Sequence, residues 1–383
     1  MAQHATLATL REINASVVLT AIRADPPLSR AEVSRRTGMT KPTVANALDL
    51  LLAAGLVRQA APPGETHYGA VYFEPVHTLA HVLALDIGTR FVRGAICDLG
   101  GAMLARHDQR IADSAPETVL AAAKAVHDGL LEGGGDRPGL EVAVAGVPGV
   151  VDPREGVIRE SNRAELEGVP IRARLAEALG VPAEVENDVT LAAVGEHASG
   201  AGRGVDDFAF LSIGAGVGAG LVLSGRPHRG HRGAAGEVDN PPPGQEFAPD
   251  SPSADALVSW SAALLGERRT PEELFAAGRA GEPKAVEILT EQARRTAVRI
   301  AEITKVADVE LVVLGGGIGL ASADILGRIE AALAVLVRRP PRLAVSGLGD
   351  APVLVGAMAR GAQLGWERFT TRRISEAAVR SNT

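Results

Sequence analysis

Ser29 and Glu32, followed by Gly38 and then Thr40-Lys41-Pro42, fix two short helices and the turn between them. In LSRAEVSRRTGMTKPTVANALDLLLAAGLVRQ, Ser29 is an N-cap, and Glu32 three residues on completes a capping box. That helix is expected to end near Thr37, with Gly38 supplying the turn. Thr40 then caps a second helix with Pro42 in its first turn, where a missing N–H is tolerated. Val33, Met39, Val44 and Leu48 give each helix an inward face. Two short helices joined by a tight glycine turn form a helix-turn-helix. Leu56–Arg58 and Ala70–Phe73 read as short strands around the Pro/Gly break at Ala60–Glu65, so a winged hairpin follows.

Exposure sets what such a head can do. On the second helix, Lys41, Thr43, Asn46 and Ala47 are expected to face away from the core. They lie near the Thr40 end, the end that enters a major groove. Asn46 can pair with an adenine edge, and Lys41 and Thr43 can bond a base or a phosphate. Arg35, Arg36 and Arg58 are candidates to neutralise phosphates. The competing reading is a helical hairpin used for packing or protein contact. Agreement of caps, turn glycine, spacing and wing favours DNA.

Charge permits this. The chain carries −7 overall, which argues against coating nucleic acid along its length. Residues 1–75 hold seven Lys/Arg against six Asp/Glu, hence +1; with totals of 39 and 46, the remainder is −8. A DNA-binding head on an acidic body fits. At roughly 150 residues per domain, 383 residues predict two or three domains. Aromatics are 3%, so Ala, Val and Leu must fill the core. The lone Cys97 excludes an internal disulfide and fits a reducing cytoplasm. No apolar run approaches the ~18 residues of a membrane span, and the first residues lack a signal-peptide pattern.

After Pro75 strands alternate with helices, which indicates an α/β body. Strands are expected at His81–Asp86, Phe91–Asp98, Val142–Val147, Pro182–Glu186, Phe208–Ile213, Gly220–Leu223 and Glu310–Leu314. Helices are expected at Pro116–Leu131, Ile171–Leu179, about Val189–Ala198, Pro283–Val306 and near Asp324–Val337.

Four constellations interrupt this pattern. Asp86-Ile87-Gly88-Thr89 ends a strand with a carboxylate and a glycine turn. It can hold hydrated Mg²⁺ beside a phosphate, or be a plain hairpin turn. In Glu186-Asn187-Asp188, Asp188 sits at a helix start, where it can accept a proton from a hydroxyl or simply cap the helix. Asn187 can bond a neighbouring hydroxyl. The alternating glycines around Gly214 and Gly216 suit an anion or a tight hairpin, and are neither a Walker loop nor a Rossmann fingerprint. The run around Gly316 admits an adenosine or a close neighbouring backbone.

Taken together, these stretches resemble the ROK family of repressors, uncharacterised frames and sugar kinases. The resemblance rests on DIGT, AGVPGVVD, ESN, VENDVTLAAVGE, GAGVGAGLVLSG, GAAGEV and LGGGIG in the body, and on LREINASVVLTAI with the helix-turn-helix in the head. It implies a winged helix-turn-helix over residues 1–76 and a two-lobed actin/hexokinase-like (ribonuclease H-like) body. The first lobe is expected at 77–192 plus 350–383 and the second at 193–349, with a sugar cleft between them. By the same resemblance, Asn162, Asn187, Asp188 and Glu237 fall where family members contact sugar hydroxyls. Asp188 is the catalytic base in the kinases, and Asp86 the phosphate and Mg²⁺ aspartate.

The departures weigh against phosphoryl transfer. Thr89, Arg90 and Phe91 follow Gly88 where kinases have a second glycine, a threonine and a lysine. Ala215 stands where kinases carry a hydroxyl. Asn240 replaces a zinc-ligand histidine, and the following cysteines are absent, so no zinc is expected. His228 and His231 read as a surface loop, not a metal site. The expectation is therefore a sugar-responsive regulator, most simply a repressor, acting on double-stranded DNA at an inverted repeat. It is expected to be a homodimer or homotetramer, away from membranes, with no required cofactor. ATP and Mg²⁺ belong only to the alternative, a sugar kinase with a DNA-binding head.

Overall fold

The computed structural model describes residues 7–62, 70–132, 139–161, 163–242 and 244–380. The head begins with α1 (Leu7–Ala24), followed by β1 (Leu28–Ser29), α2 (Arg30–Thr37) and α3 (Lys41–Ala53). The Ser29 hydroxyl accepts from Glu32 N–H, the Glu32 carboxylate accepts from Ser29 N–H, and Gly38 closes α2 at φ 69°. Thr40 caps α3 through Thr43 N–H. Both caps and the turn glycine stand where the sequence places them. The wing strands β2 (Val57–Ala60) and β3 (Tyr72–Pro75) pair antiparallel, and β1 adds a third strand on the far side of β3. The wing tip lies outside the described residues.

Two five-stranded sheets form the body. The first comprises β4 (His81–Ile87), β5 (Phe91–Asp98), β6 (Met103–Arg110), β7 (Leu140–Val147) and β10 (Ala183–Asn187), in the order β10-β7-β4-β5-β6. Around it stand α4 (Pro116–Glu132), the short pair β8 (Val150–Val151) and β9 (Ile158–Glu160), α5 (Ile171–Leu179) and α6 (Asp188–Ser199). The second comprises β11 (Phe208–Ile213), β12 (Val217–Leu223), β13 (Arg226–His228), β14 (Leu311–Gly315) and β15 (Arg342–Val345), in the order β13-β12-β11-β14-β15. Its helices are α7 (Ala254–Leu265), α8 (Pro271–Arg279), α9 (Pro283–Ala307), α10 (Gly316–Ala321) and α11 (Leu326–Leu336). Each sheet mixes an antiparallel hairpin with parallel neighbours reached through helices, the mark of an α/β layer structure.

The chain returns in α12 (Pro352–Arg380), 29 residues and so about 43 Å long at 1.5 Å per residue. It packs on β4, β5 and β7, on α6, and on α1 and α3 of the head. One apolar cluster accordingly runs from Val18, Leu48 and Phe73 in the head through Val82 and Val144 to Leu354 and Trp366. The sequence reading assigned none of α1, β6, α7, α8 or α12. In β6 most side chains are exposed, so no apolar alternation marks it.

Candidate nucleic-acid interface and inter-lobe cleft

On α3, Val44, Leu48 and Leu51 point into the head core, while Lys41 and Asn46 are exposed and Thr43 is half-buried. Ala47 departs from expectation: it is 4% exposed and belongs to the core face, one helical turn from Leu51. Thr40 is held as a cap, its hydroxyl 2.8 Å from that of Thr43. Arg35, Arg36 and Arg58 are all exposed. Arg36 pairs with Asp25, and Arg58 with Glu74 across the wing at 2.7 Å, whereas Arg35 has no ion-pair partner among the described residues. Two of the three candidate phosphate ligands thus already hold carboxylates.

The cleft is built where the strands of the first sheet end. At the mouth of β10, the helix cap is Asn187, not Asp188: Asn187 Oδ1 accepts from Thr190 N–H at 2.8 Å. Its amide nitrogen donates to Gly149 O at 3.1 Å and to Asp188 Oδ1 at 3.3 Å. Both amide hydrogens are therefore committed within the protein, and Asn187 builds the site by holding Asp188. Asp188 Oδ1 also accepts from Val189 N–H at 2.8 Å, which leaves Oδ2 for the cleft. Burial, reinforced by the carboxylates of Asp86 and Glu237, pushes Asp188 up to about 7. Glu237 is half-buried and is also raised, by burial and then by Glu160. Its position follows from the bond between Ala219 N–H and Gly236 O, 2.8 Å, which ties its loop to β12. Asn162 lies outside the described residues.

The glycine loops are closed upon themselves. Gly88 N–H donates to Phe91 O at 2.9 Å, and Gly214 N–H to Gly216 O at 2.9 Å, so each makes its own hairpin. Gly316 sits at φ +75°, and a Cβ there would lie 2.5 Å from Ile213 O; close approach of β11 explains that glycine. Asp86 is buried and bonded to Arg93 Nη1 at 3.0 Å, with burial raising its carboxyl and Arg93 opposing that rise. Arg93 lies in turn within 3.9 Å of Asp108 and 3.8 Å of Asp350, and Arg106 bonds Asp108. A guanidinium thus holds the carboxylate that a hydrated Mg²⁺ would need, and these residues do not fit that ion.

Beyond the cleft, the segment after Glu237 is stapled by a buried ion pair. Asp239 bonds Arg299 at 2.9 Å and Ser251 Oγ at 2.6 Å. Among the described residues no group of three or more His, Cys, Asp or Glu is placed to hold a metal. With no thiolate nearby and Asp239 already paired, the residues here do not fit zinc. Arg229 reaches from beyond β13 to the buried carboxylate of Glu186 on β10, joining the two sheets across the cleft. Sequence reasoning missed Arg93 and Arg229. The available signal for Arg93 was an arginine inside the buried run FVRGAICD.

The ROK family model matches residues 82–240 and 252–366, which is most of the chain. The chain belongs to the ROK family. A MarR family model matches residues 12–65, the helix-turn-helix and the start of the wing, so this ROK protein has a MarR-type winged-helix head. The solved structure of a ROK family transcriptional regulator, a homologue of the E. coli MLC protein, superposes over 96% of this chain and 99% of that one. Its TM-score is 0.81 at 20% identity, a likeness of fold. The ROK hexokinase from Thermus thermophilus covers 75% of this chain and 99% of its own, with TM-score 0.64 and 28% identity. The xylose repressor of Bacillus subtilis is 24% identical over 60% of each chain. The bifunctional enzyme NanE/NanK of Brucella melitensis is 37% identical over 40% of this chain, which spans only 30% of that enzyme. No described helix is long and apolar enough to cross a membrane.

Proposed function

We propose that this ROK protein is a DNA-binding repressor of carbohydrate-related genes whose hold on DNA is set by a sugar or sugar derivative in the cleft. The observation that carries the reading is the capped α3, with Lys41, Thr43 and Asn46 on its solvent side, joined to the body through one continuous core. Similarity to xylose repressors supports a sugar-responsive role. A two-fold dimer, or a tetramer built from such dimers, presents two recognition helices about 34 Å apart to an inverted repeat. The cytoplasm is the compartment where such DNA is reached.

Coupling follows a material route. Asp188 begins α6, α6 packs on the first turns of α12, and α12 ends against the head. A ligand that favours one inter-lobe arrangement shifts α12 and the heads, provided it binds the two arrangements unequally.

The test is a fluorescence-anisotropy titration of the full chain with duplexes from upstream of its own operon, at about 150 mM salt, where non-specific binding is weak. One duplex is expected to bind at least ~10³-fold tighter than random sequence. Lys41→Ala should weaken all duplexes evenly and lower the salt slope by about 1, while Asn46→Ala should cost about 1–3 kcal/mol and relax preference at one position. Equal affinity for all sequences refutes the proposal.

A second reading, ATP-dependent sugar phosphorylation, draws on Asp188, whose elevated carboxyl suits proton acceptance near neutral pH. The Arg93–Asp86 pair and the self-closed Gly88 and Gly214 turns count against it. ADP release with a hexose, lost in Asp188→Asn, would put the kinase first.

A further inference from the structure

In the second lobe, α7 and α11 both pack on α9, and a groove of about 770 Å³ opens among the three helices. Its apolar lining is Trp260 and Leu264 of α7 with Ala331 and Ala332 of α11. Leu264 is 46% exposed, and Val335, one turn beyond Ala331 on α11, is 86% exposed. The core of the lobe does not need this face, because α11 fills it with Ile329 and Leu333 instead. The wall is also firm: Arg295 stacks on the Trp260 ring at 4.7 Å and bonds Glu291 at 2.9 Å. Apolar side chains held in place and left open to water after the core is full mark a contact surface.

The groove carries two idle charges of opposite sign. Arg328 of α11 and Glu287 of α9 both line it and are both exposed, and neither forms an ion pair among the described residues, not even with the other. Arg294 beside them is already held by Glu291 and Asp250. A surface with both halves of an unmade pair matches its own copy. A two-fold axis through the groove sets each arginine against the other chain's glutamate, the self-complementarity that an isologous contact requires. We infer that two copies of this chain join at this groove, with Leu264, Ala331 and Val335 packed around Trp260 at the dry centre and two Arg328–Glu287 pairs at the rim.

The location has a consequence for the heads, which rests on the regulator reading. Each head shares its apolar cluster with the first sheet, α6 and α12, and no residue of the second lobe belongs to it. The cluster beneath α7, α9 and α11 is confined to the second lobe. Chains joined through their second lobes therefore carry each head on the other lobe, and the inter-lobe angle sets the separation of the two recognition helices.

Sedimentation equilibrium of the full chain over a dilution series tests the interface without DNA. Wild type is expected at twice the chain mass or an even multiple of it. Arg328→Glu and Glu287→Arg each bring like charges together and should weaken association about tenfold or more. An equal mixture of these two variants restores opposite charges at both contacts, and should recover to within about threefold of wild type. Leu264→Asp should leave the chain monomeric with an unchanged far-ultraviolet circular dichroism spectrum, since its position is exposed. A monomeric wild type, an assembly indifferent to Leu264→Asp and both charge reversals, or no recovery in the mixture overturns the inference. On DNA, Leu264→Asp should keep affinity for a half-site and lose the added affinity for the inverted repeat. If wild type instead binds all sequences equally, the regulator reading fails while the interface stands.

Discussion

At Asp188, burial and two neighbouring carboxylates act in one direction, and the consequence is readable as pH-dependent stability. The folded chain keeps this proton up to about 7, whereas an unfolded aspartate releases it near ~4. Between those values the native state binds more protons, so stability falls as pH rises and the loss is complete above pH 7. Asp188→Asn cannot ionise. It is expected to melt with wild type near pH 4, to gain progressively towards pH 7, and to hold a gain of about 2 kcal/mol above it, less than the full shift because the side chain still meets cleft water. Melting curves from pH 4 to 8 check this; a gap that ignores pH would assign the effect to packing. In the head, free and paired arginines separate in the same way. Arg35→Ala should lower the DNA salt slope by about 0.9, and Arg36→Ala or Arg58→Ala by less, since each of those must leave Asp25 or Glu74 to reach a phosphate.

Among the elements, the contact of α6 with α12 has the least room. A Cβ on Gly195 would lie 2.3 Å from Pro352 O, and one on Gly356 would lie 1.8 Å from Leu191 O. Two glycines thus let the helix that carries Asp188 and the helix that reaches the head touch backbone to backbone. Gly356→Val must push these helices apart, at a cost of about 1–3 kcal/mol from overpacking. Chemical denaturation gives the stability. Operator affinity in the presence and absence of ligand shows whether transmission between cleft and head is lost with it.

For the whole molecule, the head is not a bead on a string. Arg23 of α1 stacks on Trp366 of α12, 4.7 Å from guanidinium carbon to ring centroid, and His77 meets the same indole edge-on at 6.0 Å. Trp366 is 1% exposed and shares its apolar cluster with Ala15, Val18 and Phe369. Arg23→Ala removes a partly desolvated cation–π contact while leaving α3 and the cleft untouched. Affinities for DNA alone and for ligand alone should stay within about twofold. The factor by which ligand changes DNA affinity, ordinarily about 5–150-fold, should fall towards one. An undiminished factor would mean that cleft and head communicate by a route that bypasses Trp366.

Local rules made much of this chain legible from its residues. Ser29, Glu32, Gly38 and Thr40 specify α2, the turn and α3 because caps and turns satisfy their bonds within a few residues, and apolar spacing likewise marked α5, α9, β4 and β5. The sequence placed Asp188 and Glu237 as candidates through motif and resemblance. What it left open depends on partners far apart in the chain. Whether Ala47 faces core or groove was decided by the packing of α1 and the wing. Arg229 meeting Glu186 is an outcome of how the two sheets close on one another. Electrostatic pairing acts through space at a few ångströms, and only the folded chain determines which charges come that near.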